Sequence, residues 1–112
     1  MKSISLETLT ASKFSEFLKT RFCVLIGPTD TIELELAQVT LGGTFAKDGA
    51  NVPQYESFSL MFHGVQNRTL QQGSYPFQHP QIGRFDLFIV PVARERGIVH
   101  YQAVFNRLVK PA

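Results

Sequence analysis

The feature that most constrains the fold is a strand-like stretch, "RFDLFIVPVARERG" at residues 84–97, that is apolar on both of its faces. Side chains alternate along a strand. One face therefore carries Phe85, Leu87 and Ile89, and the other carries Phe88, Val90 and Val92. A strand that is apolar on both faces has to be covered on both sides. We expect a core under one face and either another element of the chain or a partner over the other.

Five further segments show the two-residue period of a half-buried strand, and Gly, Pro, Asn and Asp separate several of them. They lie at residues 20–27, 31–41, 55–64, 73–79 and 98–109. Short connections favour antiparallel neighbours, because parallel pairs need long crossovers. The sequence predicts a mainly β domain over residues 1–112, a six-stranded antiparallel barrel or bent sandwich built as a meander over about 21–109.

Residues 6–18 have helical spacing instead. One apolar stripe is formed by Leu6, Leu9, Phe14, Phe17 and Leu18. Thr10 and Ser12 are plausible capping residues for a short helix at about 11–18. We expect this helix either to plug the mouth of the barrel or to cover the outer face of the fifth strand.

Two irregularities interrupt the strand pattern. A β-bulge near Ala37–Gln38 would return Val39 and Leu41 to the core side, since the alternation breaks there. The glycine-rich stretch 42–54 is predicted to be the longest loop.

The composition of the chain excludes several classes of function. The chain has 112 residues, 44% hydrophobic and 18% charged, which is typical of a folded domain. A net charge of +2 is too small to indicate nucleic acid or a membrane surface as a partner. The single cysteine, Cys23, excludes an internal disulfide and a cysteine-based zinc site, and it is predicted to be a buried, inert thiol. The absence of a secretory pattern and of a long apolar run predicts a cytoplasmic protein.

No catalytic, cofactor or metal motif is found. The three histidines, His63, His79 and His100, lie on different predicted strands without HExxH spacing. His79, which precedes Pro80, could act as an acid or base. We expect instead that its ring bonds a backbone carbonyl of the turn made by Pro80 and Gly83 and so fixes the hairpin. The chain is therefore expected to be non-catalytic.

The fifth and sixth strands carry the expected interface. If both have apolar outer faces, a two-turn helix is too short to cover them, which indicates a second copy of the chain or another protein as partner. The candidate interface residues are Phe88, Val90, Val92, Tyr101 and Ala103.

Several segments also occur in the order of a known family. They are "FSLMFHG" at 58–64, "LQQGSYPFQHPQIG" at 70–83, "LFIVPV" at 87–92 and "YQAVFN" at 101–106. The chain resembles a family of small bacterial proteins that carry a domain of unknown function, often encoded near phage-tail-collar-like proteins. The resemblance implies a tail-like assembly. It also implies that Tyr75, His79, Gly83 and Pro91 are fold determinants, with Pro91 ending or bending the fifth strand.

Two functions from different classes remain open. The first is a structural or adaptor module that assembles with itself or with a tail-like protein. The second is a small-molecule-binding or enzymatic barrel whose mouth is gated by the 42–54 loop.

Overall fold

The computed structural model describes residues 9–45 and 54–109, and its chain forms a closed antiparallel barrel of six strands. Its elements are the helix α1 (Ala11–Ser15), the strands β1 (Arg21–Leu25), β2 (Thr31–Phe45) and β3 (Gln54–Val65), a 3-10 helix (Gln66–Arg68), and the strands β4 (Gly73–His79), β5 (Gly83–Glu95) and β6 (Ile98–Val109). The predicted fold class, a mainly β antiparallel barrel with one short N-terminal helix, is confirmed.

The strand order corrects the simple meander. Around the barrel the order is β1-β2-β3-β6-β5-β4, so β3 pairs with β6 and not with β4. The β3–β6 register runs from Gln54↔Val109 to Val65↔Ile98, and β4 closes the barrel on β1 through two residue pairs. Two three-stranded meanders are therefore joined. The segment with the 3-10 helix after β3 connects them without placing β4 beside β3.

The barrel interior is filled by side chains from every strand and from α1. The large residues that are fully buried include Phe14, Phe22, Phe58, Phe62, Phe77 and Tyr101. Alternate residues of β2 and β3 are buried, and on β4 Phe77 and His79 are buried while Tyr75 is half-buried. Such aromatic cores are held by burial and by edge or offset ring contacts.

The helix closes one end of the barrel. Thr10 is its N-cap, with its hydroxyl accepting the amide of Lys13 at 3.1 Å. The Phe14 ring lies 6.2, 6.1 and 5.6 Å from the rings of Phe58, Phe85 and Phe105. Those rings come from the inner faces of β3, β5 and β6, so α1 plugs the barrel and does not cover the outer face of β5. The helix is shorter than predicted and ends at Ser15, with turns over 16–19.

The predicted bulge on β2 is present. The β2–β3 register shifts between Leu36 and Gln38, and Val39 packs against the core. Leu41 was expected on the core side, but it is 70% exposed. A second shift follows it, and β1 flanks β2 only as far as Glu35, so Leu41 lies beyond the closed part of the barrel.

The predicted 42–54 loop is shorter than expected. Residues 42–45 continue β2, and Gln54 already begins β3. The remainder of that loop, residues 46–53, lies outside the described residues.

Two of the candidate interface residues are inside the barrel. Tyr101 and Ala103 pair with Phe62 and Leu60, whose side chains point inward, and residues paired in register share a face of the sheet. Both are buried, which corrects their assignment to an outer surface. The outer face of β6 instead carries Ile98, His100, Gln102 and Val104.

Candidate functional site

The first candidate site is an apolar patch on the outer face of β5 and β6. We call it the β5–β6 patch and define it by Phe88, Val90, Val92 and Val104. Phe88, Val92 and Val104 are 50%, 48% and 67% exposed, and Val90 is half-buried. Val90 pairs with Gln102, two residues from Val104, so the patch crosses from one strand to the next. A cavity of about 220 Å³, lined by Val104, Gln102 and Ser59 among others, adjoins it on the β3 side.

Pro91 shapes this patch by bending β5. The β5–β6 register shifts between Pro91 and Ala93, and the strand continues to Glu95. Val92 is the unpaired residue at this bulge and lies on the outer face with Phe88 and Val90. The strand does not end at Pro91, and the bending role stays a prediction.

The turn residues predicted around His79 lie together at the β4–β5 connection. Residues 80–82 form the turn, and His79 faces Gly83 across it. Gly83 has a φ of 112°, in the region that favours glycine. Tyr75 acts before this turn: its hydroxyl donates to the carbonyl of Gln71 at 2.8 Å and ties β4 to the preceding segment.

His79 is buried and joins three parts of the chain. Its Nδ1 accepts the amide of Gln81 at 3.2 Å, and its Nε2 lies 3.0 Å from the hydroxyl of Thr20. The ring also packs between Phe17 and Phe22, with centroids 4.7 and 4.6 Å away. The expected bond to a backbone carbonyl is not formed, because the ring nitrogen Nδ1 instead accepts the backbone amide of Gln81 in the turn.

These contacts show which nitrogen of the His79 ring carries the proton. The Thr20 hydroxyl donates to the carbonyl of Phe17 at 2.6 Å, so its oxygen accepts from Nε2–H of His79. Since Nδ1 must then be the acceptor for Gln81, the ring is the neutral Nε2–H tautomer. Burial lowers the pKa of His79 below its ordinary value of 6.5, in keeping with a neutral ring. His79 is therefore a structural tie and is poorly placed to exchange protons with a substrate.

The second candidate site is a cleft between β2 and β3, which we call the β2–β3 cleft. The β2–β3 register ends at Glu35↔His63, and beyond this pair β2 remains paired with β1 and β3 with β6. A cavity of about 560 Å³ opens there. It is lined by Arg21, Thr31, Ile32, Glu33, Glu35, His63, Gly64, Val65, Arg68 and Ile98.

Two ion pairs frame the cleft. Arg68 donates to both carboxylate oxygens of Asp30, at 3.3 and 2.6 Å, and ties the 3-10 helix to the start of β2. Arg21 reaches Glu33 at 3.1 Å. The Arg68 guanidinium holds the pKa of Asp30 below its ordinary value. Glu35 forms no ion pair with a lysine or arginine of the described residues.

A histidine pair continues from the cleft across the sheet. His63 on β3 faces His100 on β6 with ring centroids 4.3 Å apart, and Nε2 of His100 lies 3.6 Å from Glu95. Burial and the neighbouring His100 lower the pKa of His63, while Glu35 acts in the opposite direction. Two of the three histidines thus meet, whereas His79 lies elsewhere. The described residues contain no group of three or more metal-binding side chains arranged to hold an ion.

Sequence reasoning missed the cleft because it depends on where two strands diverge, which no local pattern reveals. Cys23 was also placed wrongly. It is half-buried on the outer side of β1, opposite Glu33 and Gln78, because Phe22 and Val24 take the inner positions.

In the described part of the chain, no helix is long and apolar enough to cross a membrane. The described residues define a small closed β-barrel domain whose interior is filled by side chains and whose surface carries the β5–β6 patch and the β2–β3 cleft. The chain belongs to the family described as domain of unknown function (DUF6916), whose model matches residues 9–105. Comparisons with curated proteins and with solved structures give no match.

Proposed function

We propose that this domain is a non-catalytic structural or adaptor module that assembles with a second copy of itself through the β5–β6 patch. The observation that carries the proposal is the exposure of Phe88, Val92 and Val104 on two adjacent strands. Exposed apolar groups of this kind mark protein contacts, because burying them removes apolar surface from water.

The charges around the patch favour a two-fold partner. Asp86 and Arg84 lie on β5 at one end, and Arg94 and Glu95 lie on it at the other. Arg94 pairs with the buried Val99, whereas Glu95 pairs with Ile98 on the outer face of β6. A two-fold contact in which the two β5 strands run antiparallel would therefore set Arg84 of one copy near Glu95 of the other. The resemblance to proteins encoded near phage-tail-collar-like proteins suggests a bacterial, cytoplasmic tail-like assembly as the setting.

A ligand site inside the barrel has less support. The described interior is occupied by aromatic and aliphatic side chains, and the larger cavity lies where β2 and β3 diverge. The ligand-binding alternative therefore has its support in the β2–β3 cleft, which is a separate surface.

Sedimentation velocity on surface variants tests the proposal. Phe88→Glu places a charge in the centre of the patch and should shift the protein from dimer to monomer at equal concentration. Leu18→Glu makes the same change at an exposed leucine after α1, remote in sequence from the patch, and should leave the dimer intact. Equal sedimentation of wild type, Phe88→Glu and Leu18→Glu would contradict the proposed contact.

A further inference from the structure

The β2–β3 cleft has the size and lining of a site for a small group. Its volume of about 560 Å³ falls in the range of ligand sites. Ile32, Val65 and Ile98 give it apolar walls, and carboxylates stand at its rim. Gly64 contributes only backbone to the lining. A Cβ added there would lie 2.6 Å from the buried Leu34.

The balance of charge decides which kind of ligand fits. Both guanidinium groups of the cleft, Arg21 and Arg68, already have carboxylate partners. An anion would have to displace Glu33 or Asp30 from those partners while lying near the carboxylate of Glu35. Glu35 lies opposite Arg21 in the β1–β2 register, but the Arg21 guanidinium donates to the carboxylate of Glu33. The cleft therefore retains one negative charge after its own pairs are counted.

We infer that the β2–β3 cleft binds an alkyl-guanidinium or alkyl-ammonium group, with Glu35 as its counter-ion and the apolar walls around its stem. The cationic head donates to the carboxylate of Glu35, and the neighbouring His63 supplies a further acceptor when its ring is neutral. The stem lies against Val65 and Ile98, as the methylenes of lysine and arginine do on apolar surfaces. This site is separate from the β5–β6 patch and does not depend on the proposed assembly.

Such a group has two sources, a free amine or the side chain of another protein. Titrations followed by ¹H–¹⁵N NMR distinguish them, with agmatine as the free amine and N-acetyl-arginine amide as the side-chain mimic. N-butylurea is the neutral control and butyrate the anionic one. The amides of Gly64 and Val65 should shift in a saturable way with the cations alone. Tighter binding of agmatine would identify a free amine, and tighter binding of the arginine amide a protein side chain.

Substitutions test whether the cation binds in the β2–β3 cleft. Glu35→Gln should weaken cation binding by at least about tenfold, the effect of removing a charged hydrogen-bond partner. Glu16→Gln removes a carboxylate outside the cleft and should bind as wild type does. Phe88→Glu should also bind normally, which separates this site from the assembly surface. Cation binding that survives Glu35→Gln unchanged, binding of butyrate at equal strength, or no shift with either cation would each overturn the inference.

Discussion

Tyr101 carries a hydroxyl into an otherwise apolar barrel interior. Its side chain is fully buried, and its oxygen accepts the amide of Leu70 at 2.8 Å. Leu70 lies in the connection between the two meanders, so this bond fixes the connection to β6. No buried polar side-chain atom of the described residues lacks a partner, which shows how fully the interior is satisfied.

Tyr101→Phe should destabilise the fold by about 1–3 kcal/mol, because the buried amide of Leu70 loses its acceptor. Tyr75→Phe is the matched control, since the Tyr75 hydroxyl bonds an exposed carbonyl, and it should cost less than about 1 kcal/mol. Urea unfolding of both variants measures the difference. Equal losses would contradict the tie between Tyr101 and Leu70.

Gly64 is a second residue whose role depends on close packing. An added Cβ would lie 2.6 Å from Leu34 and 3.2 Å from the Tyr101 ring, and both of these side chains are fully buried. Gly64→Ala should therefore cost about 1–3 kcal/mol of stability. Gly27→Ala meets nothing within 4 Å and should stay within about 0.5 kcal/mol of wild type in thermal and urea unfolding. A neutral Gly64→Ala would contradict close packing of Gly64 against Leu34 and Tyr101.

At the scale of elements, His79 couples the β4–β5 turn to the segment that follows α1. The folded state lowers its pKa, so the unfolded chain binds more protons once the pH falls below the ordinary value of 6.5. The stability that depends on neutral His79 is complete above that pH and is lost as the pH falls toward the lower folded value. The shift of His63 acts in the same direction.

Wild type should lose stability between about pH 7 and about pH 5 more steeply than His79→Gln, whose amide has no titration in this range. Urea unfolding at a series of pH values measures the slopes. His63→Gln measures the share of the slope that comes from the other histidine whose pKa is lowered. A slope that His79→Gln leaves unchanged would contradict the role of the neutral ring.

The two-residue alternation of apolar side chains predicts most of the strands, but it does not always predict which face of a strand points inward. It predicted a strand at residues 55–64, where β3 lies, and the bulge near Gln38, because alternation is a local property. On β6 both faces carry apolar residues, so periodicity alone could not decide that Tyr101 points inward. Pairing with Phe62 decides it, and that pairing connects β3 to β6 across the chain.

The candidate sites show the same limit. The apolar outer face of β5 was predictable, since Phe88, Val90 and Val92 share one face of a single strand. The β2–β3 cleft was not, because it arises where β2 and β3 leave their common register and Arg68 reaches back to Asp30. Contacts between segments so far apart have no signature in a local stretch of sequence.

At the scale of the whole molecule, the side chains that stabilise the barrel and those of the proposed contact lie on opposite faces of the sheet. Phe58 is buried, and its ring stacks on Phe105 with centroids 4.5 Å apart, so Phe58→Glu should prevent folding by placing a charge in the core. Phe88→Glu lies on the β5–β6 patch and should retain the wild-type fold, within about 1 kcal/mol, while losing assembly. Circular dichroism melts of both variants check this, and equal, mild effects would show the assignment of faces to be wrong.

The most direct test of the account is light scattering after size exclusion, performed on the wild-type protein across a wide range of concentration. The β5–β6 patch predicts a mass of two chains that falls toward one only on dilution, and a single-chain mass for Phe88→Glu throughout. A wild-type protein that remains a single chain at the highest concentrations would contradict assembly through this patch.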